Sequence, residues 1–202
     1  MFSPDLPGEL VEALRRALAR TPSPVILIDG SSGTGKSTLA TRLVADWPGA
    51  VAPVLVRMDD IYPGWGGLDA ASVHIRDHLL GPRRAGTAAR WQRHDWSADV
   101  PAEWHDVDAG APLIVEGCGT VSRDNAALAD LRLWLTADPE ACKARALARD
   151  KGSFDAHWDD WQRQFDRFVA RERPESRADL RIEATDWPPV VQAHFGSAGL
   201  TW

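Results

Sequence analysis

The chain has 202 residues, of which 44% are hydrophobic and 26% charged, a composition typical of a globular protein with one buried core. Its formal net charge of −6 argues against a general nucleic-acid-binding protein, because phosphate backbones require clustered lysine and arginine. No stretch approaches the roughly 20 apolar residues that span a bilayer, and the first ten residues lack the basic and apolar segments of a secretion signal. The two cysteines show no metal-ligand spacing. We therefore expect a cytoplasmic protein with no membrane or nucleic-acid partner.

In the first half of the chain, helices and strands alternate. Apolar residues at helical spacing predict a helix over 8–20, and the apolar run 25–28 predicts a strand covered on both faces. After a glycine-rich turn we predict a helix over 37–46, a strand over 50–58, a loop over 59–67 and a helix over 69–80. The polar, Trp- and Arg-rich segment 81–108 has weak periodicity and is predicted to form loops and short elements.

The second half continues the alternation. The predicted elements are a strand over 112–116, a short helix, a strand over 131–136, helices over 138–150 and 154–171, and a last strand over 180–182. Strands that alternate with helices predict an α/β fold of three layers, in which helices flank a mainly parallel sheet. We expect a single domain over residues 1–202.

Residues 30–37 read GSSGTGKS and fit the phosphate-loop pattern G-x-x-x-x-G-K-[ST], between a predicted strand and a predicted helix. Glycines let the backbone wrap closely around an anion, and the N–H groups of the loop point at the phosphates. Lys36 is expected to reach the β- and γ-phosphates of ATP, and Ser37 to supply a hydroxyl to Mg²⁺. The alternative interpretation is a glycine-rich turn between strand and helix that binds no ligand. The predicted nucleotide-binding residues are Gly30, Ser31, Ser32, Gly33, Thr34, Gly35, Lys36, Ser37 and Thr38.

Carboxylates follow two of the predicted strands. Glu116 ends the strand LIVE, where an acid beside the phosphate loop can hold the water shell of Mg²⁺, although strand-end acids are also common at surfaces. Asp59 and Asp60 directly follow the strand over 50–58, at the sheet edge where ligands of open α/β sheets bind. A kinase needs a carboxylate that orients the acceptor hydroxyl and accepts its proton, and Asp59 is the better candidate because it leaves the strand first. One alternative is that Asp60 caps a helix or coordinates a metal ion. Another is that both aspartates are ordinary turn residues.

Five segments, IDGSSGTGKST, MDDIYPGW, HDW, LIVEGCG and RALARD, occur in an order that resembles the uridine kinase family from about residue 25 to about residue 182. The resemblance implies the P-loop NTPase fold, with Asp59 taking the proton of a nucleoside 5′-hydroxyl and Tyr62 lining the nucleoside site. It also implies that Arg145 and Arg149 belong to a small lid, over about 140–175, that closes over the phosphates. Glu116 matches the family's acid near magnesium, and the predicted metal ligands are Ser37, Asp59 and Glu116.

The sequence departs from the family pattern in two places. His94, Asp95 and Trp96 stand where the family has Y-D-F, and the histidine expected shortly afterwards is absent, so pyrimidine specificity does not follow. The segment 152–154 replaces the second basic cluster of the lid. His94, Asp95 and Trp96 are still predicted to contact substrate. Trp65, Trp91 or Trp96 is expected to stack on a ring of the substrate, the alternative being that these tryptophans pack in the core. Asp69 is predicted either to bind sugar hydroxyls or to cap a helix.

These features predict an enzyme that uses ATP and Mg²⁺ to phosphorylate a hydroxyl of a small molecule, with a nucleoside as the first choice of acceptor. A kinase for another small alcohol is one alternative. Another is a regulatory P-loop protein that binds nucleotide with little catalysis. The acid pair at Asp59 and Asp60 favours an enzyme, because a protein that only binds nucleotide would not need it.

Overall fold

The computed structural model describes residues 6–150 and 152–184. The strands of this part of the chain are β1 (Val25–Gly30), β2 (Val54–Arg57), β3 (Ala89–Asp95), β4 (Val100–Val107), β5 (Leu113–Glu116), β6 (Leu131–Thr136) and β7 (Leu180–Glu183). The α-helices are α1 (Gly8–Arg20), α2 (Lys36–Ala45), α3 (Leu68–His74), α4 (Gly81–Arg84), α5 (Arg123–Ala126), α6 (Pro139–Asp150) and α7 (Trp158–Glu172). A π-helical segment, Ile75–Leu80, joins α3 to α4, and 3₁₀ turns cover Met58–Asp60, Asp155–His157 and Pro174–Arg177.

The central sheet contains five strands in the order β2–β5–β1–β6–β7, and every neighbouring pair is parallel. β1 lies in the middle, where Ile28 pairs with Glu116 of β5 on one side and with Leu133 of β6 on the other. The phosphate loop leaves the end of β1, and the two acidic segments leave the ends of β2 and β5. The parallel topology therefore brings all three segments to the same edge of the sheet.

Different helices cover the two faces of the sheet, which explains its continuous apolar strands. In β1, Val25 and Leu27 belong to one core, whereas Ile26 and Ile28 belong to the other. The first core includes side chains from α3, the π-helical segment and α7, and the second includes side chains from α1 and α2: Leu68, Ile75, Phe165 and Phe168 in the first, and Leu10, Leu14, Leu39 and Leu43 in the second. A strand covered on both faces is apolar at successive positions. The predicted three-layer α/β fold is confirmed.

Some predicted boundaries were wrong. β2 begins at Val54 and not at residue 50, because Pro53 has no N–H to donate to the sheet and Val51 is exposed. The helix predicted over 69–80 begins at Leu68 and continues through the π-helical segment into α4. The helix predicted over 154–171 begins at Trp158, because a 3₁₀ turn precedes it.

The largest error concerns the segment 81–108, predicted to form loops and short elements. It forms α4 and an antiparallel hairpin of β3 and β4, whose register shifts between Gln92 and His94. Such an irregularity interrupts the alternation of polar and apolar residues that identifies a strand in a sequence. The Asp95 side chain builds the turn by accepting hydrogen bonds from the N–H groups of Ser97 (2.9 Å) and Ala98 (3.1 Å).

Among the described helices, none has both the length and the apolar character that crossing a membrane requires.

Candidate active site

The phosphate loop joins β1 to α2 and contains glycines with positive φ angles. Gly33 has a φ of +82° and Gly35 a φ of +92°, in the left-handed region that favours glycine. A Cβ atom on Gly33 would overlap the carbonyl oxygen of Cys142 in α6, whereas a Cβ atom on Gly35 would have no neighbour within 4 Å. The close approach of a bound anion is one reason for glycine at these positions. At Gly33 the packing of α6 is a second reason, because a Cβ atom there would overlap that helix.

Alanine substitutions at these two glycines separate packing from backbone strain. We expect Gly35→Ala to lower the free energy of unfolding by about 1 kcal/mol, because of the left-handed backbone alone. Gly33→Ala should lower it by about 2–4 kcal/mol, since overlap with α6 adds to the same strain. Urea denaturation of both variants without nucleotide measures the difference. Equal losses would show that α6 does not press on the loop in solution.

The side chain of Lys36 lies inside the phosphate loop and is only 7% exposed. Its Nζ donates a hydrogen bond to the carbonyl oxygen of Ser31 (2.8 Å) and lies 3.7 Å from the Sγ of Cys118. Gly35 is the N-cap of α2, with no side chain bonded to the first N–H groups of the helix and no acid in the first turn. An uncapped helix start beside a buried ammonium is suited to bind phosphate. Thr38 is exposed on the first turn of α2.

Glu116 is the last residue of β5 and is only 3% exposed. Burial raises the pKa of this carboxyl, and the nearby Asp59 raises it further. The charges of Lys36 and Arg57 and a hydrogen bond with Ser37 oppose that rise. Two acids that repel each other beside a hydroxyl form a site that a divalent cation would stabilise. These residues therefore fit Mg²⁺.

No group of three or more His, Cys, Asp or Glu side chains that could hold a metal occurs in residues 6–150 and 152–184. The predicted ligands Ser37, Asp59 and Glu116 include only two such side chains. This small set fits Mg²⁺ bound largely through water and substrate phosphates, because that ion is usually held by one or two carboxylates and not by an all-protein cage.

The two adjacent aspartates lie in different surroundings. Asp59 is exposed, and its carbonyl oxygen accepts a hydrogen bond from the Trp96 indole (2.8 Å). Asp60 is half-buried, and burial raises its pKa, with Asp59 adding to the rise. The charge of Arg57 in β2 lowers the pKa of Asp60, and so do those of Arg93 and His105 in the hairpin. The charge of Asp59 acts on Glu116, whose carboxylate is hydrogen-bonded to Ser37 at the start of α2.

Tyr62 belongs to the segment 59–67 that follows β2, which we call the acidic loop, and its side chain is 2% exposed. Its hydroxyl donates a hydrogen bond to the carbonyl oxygen of Cys118 (2.8 Å), and its ring contacts Trp161 edge-on with centroids 4.7 Å apart. Burial raises the pKa of Tyr62 well above its usual value. These contacts are structural, and the predicted contact of Tyr62 with a nucleoside stays a prediction.

The predicted substrate residues of the hairpin differ in their surroundings. His94 is 6% exposed and its Nε2 lies 3.0 Å from Oδ1 of Asp99, while Asp95 is occupied with the hairpin turn. Trp96 is partly exposed and reaches the acidic loop through its bond to Asp59. Of the three, Trp96 is thus the residue with a direct bond to that loop.

Asp69 forms an exposed ion pair with Arg171 of α7, with Oδ1 of Asp69 2.7 Å from Nη2 of Arg171. With Arg76 and Phe168 it lines a groove of about 270 Å³. The capping alternative is wrong, because Gly67 is the N-cap of α3 and α3 begins before Asp69. The prediction that Asp69 binds sugar hydroxyls remains a prediction.

An aromatic cluster joins the acidic loop, the hairpin and the segment before α7. The Trp65 ring stacks on Phe154 and His157, with centroid distances of 5.1 and 4.5 Å, and packs against Trp96 at 5.1 Å. Trp161 contacts the edge of Trp65 at 6.4 Å. Partly exposed Trp65 and Trp96 therefore pack mainly on other aromatic side chains.

Two basic side chains of α6 were predicted to neutralise phosphate charge. Nη1 of Arg145 donates a hydrogen bond to the carbonyl oxygen of Gly33 (3.2 Å), so this exposed side chain reaches the phosphate loop. Arg149 is exposed one turn further along α6. From α7, Gln162 accepts a hydrogen bond from the Ser31 hydroxyl (3.4 Å). Both helices of the predicted lid region therefore contact the loop directly.

Comparison with known proteins identifies the fold. No protein-family model and no curated protein sequence matches the chain. A solved structure described as a putative fructose transport system kinase, from Silicibacter sp. TM1040, is similar with 21% identity, over 86% of this chain and 97% of that one, at a TM-score of 0.56. A second, described as a possible uridine kinase, from Bacillus stearothermophilus, shares 16% identity over 86% and 99% of the two chains, at a TM-score of 0.57. The chain has the P-loop fold of these structures. The resemblance of the five sequence segments to the uridine kinase family therefore agrees with the fold.

One buried acid of this P-loop fold was absent from the predicted site. Asp29, the last residue before the loop, is fully buried and its carboxylate accepts three backbone hydrogen bonds. Burial raises its pKa to about 6, although these bonds and the charge of Lys36 oppose the rise. The sequence signal was the acid in IDGSSG, where an apolar strand otherwise continues to the glycine.

Proposed function

We propose that the protein is a kinase that transfers the γ-phosphate of ATP to a hydroxyl of a small molecule. The observation that carries this proposal is the convergence of the phosphate loop, Glu116 and Asp59 at one edge of the sheet, close enough for Asp59 and Lys36 to act on the pKa of Glu116. Phosphoryl transfer requires mainly alignment and stabilisation of charge, which these groups can supply.

ATP and Mg²⁺ would be held by residues of three segments. The loop N–H groups, Lys36 and the start of α2 would bind the phosphates, and Ser37, Glu116 and Asp59 would hold the metal. When bound, Mg²⁺ neutralises phosphate charge. Arg145 and Arg149 would add positive charge, as part of a lid over about 140–175 that excludes water so that ATP is not simply hydrolysed.

Asp59 would orient the acceptor hydroxyl and accept its proton. A nucleoside is the first acceptor to test, because the segments around Asp59 and the hairpin resemble the uridine kinase family and one structural neighbour is described as a possible uridine kinase. The other neighbour is described as a putative fructose transport system kinase, so sugars are the second class to test. A cytoplasmic location belongs to this proposal, since ATP is abundant there and both cysteines are free thiols.

The experiment that tests this function measures ADP production from Mg²⁺·ATP with a panel of nucleosides, nucleotides, sugars and other small alcohols. We expect one chemical class to stimulate turnover strongly, and mass spectrometry of the product to show one added phosphoryl group. Tight ATP binding without stimulation by any acceptor would reject the kinase and favour a regulatory nucleotide-binding protein.

Glu116→Gln should weaken the use of Mg²⁺ without removing ATP binding. The amide keeps the size of the side chain but removes the charge beside Ser37, so the Mg²⁺ concentration for half-maximal activity should rise about 10–100-fold. Titration of Mg²⁺ at constant ATP measures the shift, with Glu12→Gln on the exposed face of α1 as the matched control. An unchanged titration would assign Glu116 a structural role only.

A further inference from the structure

Asp29 connects the phosphate loop to the buried residues 117–121, which directly follow β5. We call these residues the crossing segment. β1 and β5 pair up to Ile28 and Glu116, and the N–H of Gly117 donates the last bond to the Ile28 carbonyl (3.0 Å). Beyond this point the strands no longer pair. The Asp29 carboxylate then accepts bonds from the N–H groups of Gly30 (2.7 Å), Gly119 (3.1 Å) and Val121 (2.8 Å).

Two N–H groups of the crossing segment, those of Gly119 and Val121, have the Asp29 carboxylate as their acceptor. All five residues of the segment are buried, and Gly119 has a φ of +83°, which a strand does not permit. Buried N–H groups without an acceptor are costly, and an ionised carboxylate is an acceptor on both oxygens. Asp29 thus continues the link between β1 and β5 by a side chain where the backbone ladder has ended.

The crossing segment touches each part of the candidate site. It follows Glu116 directly, and the Cys118 thiol donates to the Gly30 carbonyl oxygen (3.3 Å) and lies 3.7 Å from Nζ of Lys36. On its other side, the Cys118 carbonyl oxygen accepts the bond from the Tyr62 hydroxyl in the acidic loop. A shift of this segment would therefore move Glu116 relative to the phosphate loop and to Asp59.

We propose that Asp29 is a positioning residue for Mg²⁺·ATP, acting through the crossing segment to hold Glu116 in register with the phosphate loop. The inference rests on the proposed nucleotide site but not on the identity of the acceptor. Asp29 is fully buried and bonded on both oxygens, so it does not touch the nucleotide itself. Its influence on the metal has to pass through residues 117–121.

The test measures the affinity for ATP with and without Mg²⁺ by calorimetry, in Asp29→Asn and in the wild type. The amide cannot accept on both sides, so one N–H of the crossing segment loses its acceptor. We expect metal-free ATP binding to change less than about threefold and the tightening by Mg²⁺ to fall about tenfold. Asp46→Asn, at the far end of α2, is the matched control and should behave as the wild type.

A double-mutant cycle with Glu116→Gln distinguishes positioning from general stability. If Asp29 acts through Glu116, Asp29→Asn should have no further effect on the tightening by Mg²⁺ in the Glu116→Gln background. An equal loss in both backgrounds, or a wild type whose ATP affinity does not depend on Mg²⁺, overturns the proposal. Because these measurements need no acceptor, failure of the kinase assay and failure of this proposal are separate results.

A second variant covers the case in which Asp29→Asn does not fold, as judged by circular dichroism and thermal unfolding. Tyr62→Phe removes only the hydroxyl that bonds to Cys118 on the opposite side of the crossing segment. We expect a smaller loss of the tightening by Mg²⁺, about threefold, that is absent in the Glu116→Gln background. An unchanged dependence on Mg²⁺ in a folded Tyr62→Phe protein overturns the proposal.

Discussion

Lys36→Met is expected to lower turnover of Mg²⁺·ATP by at least about 10²–10³-fold, the size of effect that follows removal of one preorganised group that stabilises transition-state charge. The ammonium of Lys36 is buried inside the phosphate loop, where water screens its charge weakly. Methionine keeps the length and flexibility of the side chain but has no charge and no donor. Initial rates at saturating ATP and acceptor measure the loss.

The structure indicates that this loss would be chemical and not a failure to fold. The Ser31 carbonyl oxygen that bonds to Lys36 also accepts hydrogen bonds from the N–H (3.3 Å) and the hydroxyl (2.8 Å) of Thr34, so it keeps partners in the variant. Lys143→Met, which removes the same charge from the exposed face of α6, is the matched control and should keep near wild-type activity. Equal activity of the two variants would reject the assigned role of Lys36.

The phosphate loop and the sheet edge were predictable because their signals are local. The octapeptide 30–37 carries its own pattern, and the apolar runs of β1 and β5 are long enough to identify strands covered on both faces. Once the strands are parallel, topology alone brings Glu116 and Asp59 to the loop. These parts of the site need no knowledge of contacts between distant residues.

The parts that sequence reasoning missed depend on contacts between distant segments. Asp29 is bonded to N–H groups 90 and 92 residues away, and its burial cannot be inferred from an aspartate after an apolar strand. Trp65 packs on the segment before α7, which is also distant in sequence. The hairpin was missed for a different reason, since the register shift near Gln92 interrupts its alternation.

Asp59→Asn is expected to lower acceptor-dependent turnover by about 10²–10⁴-fold, the contribution typical of a positioned general base. The amide keeps the size of the side chain but cannot accept the proton of the acceptor hydroxyl. Because Asp59 is exposed at the end of β2 and its backbone carbonyl is what binds Trp96, the substitution should leave the loop and its stability unchanged. ATP affinity should remain within a few-fold of the wild type, which assigns the loss to transfer and not to nucleotide binding.

Asp60→Asn decides between the two adjacent acids. Burial raises the pKa of Asp60, and the positive charges that lower it are those of Arg57 in β2 and of Arg93 and His105 in the hairpin. Removal of the Asp60 charge should therefore disturb these contacts more than the reaction. We expect a much smaller loss of acceptor-dependent turnover than for Asp59→Asn, with unchanged ATP affinity. Rates measured against acceptor concentration separate kcat from KM for both variants. If Asp60→Asn shows the larger fall in kcat, the general base is Asp60, and Asp59, whose charge acts on Glu116, is then a metal ligand only.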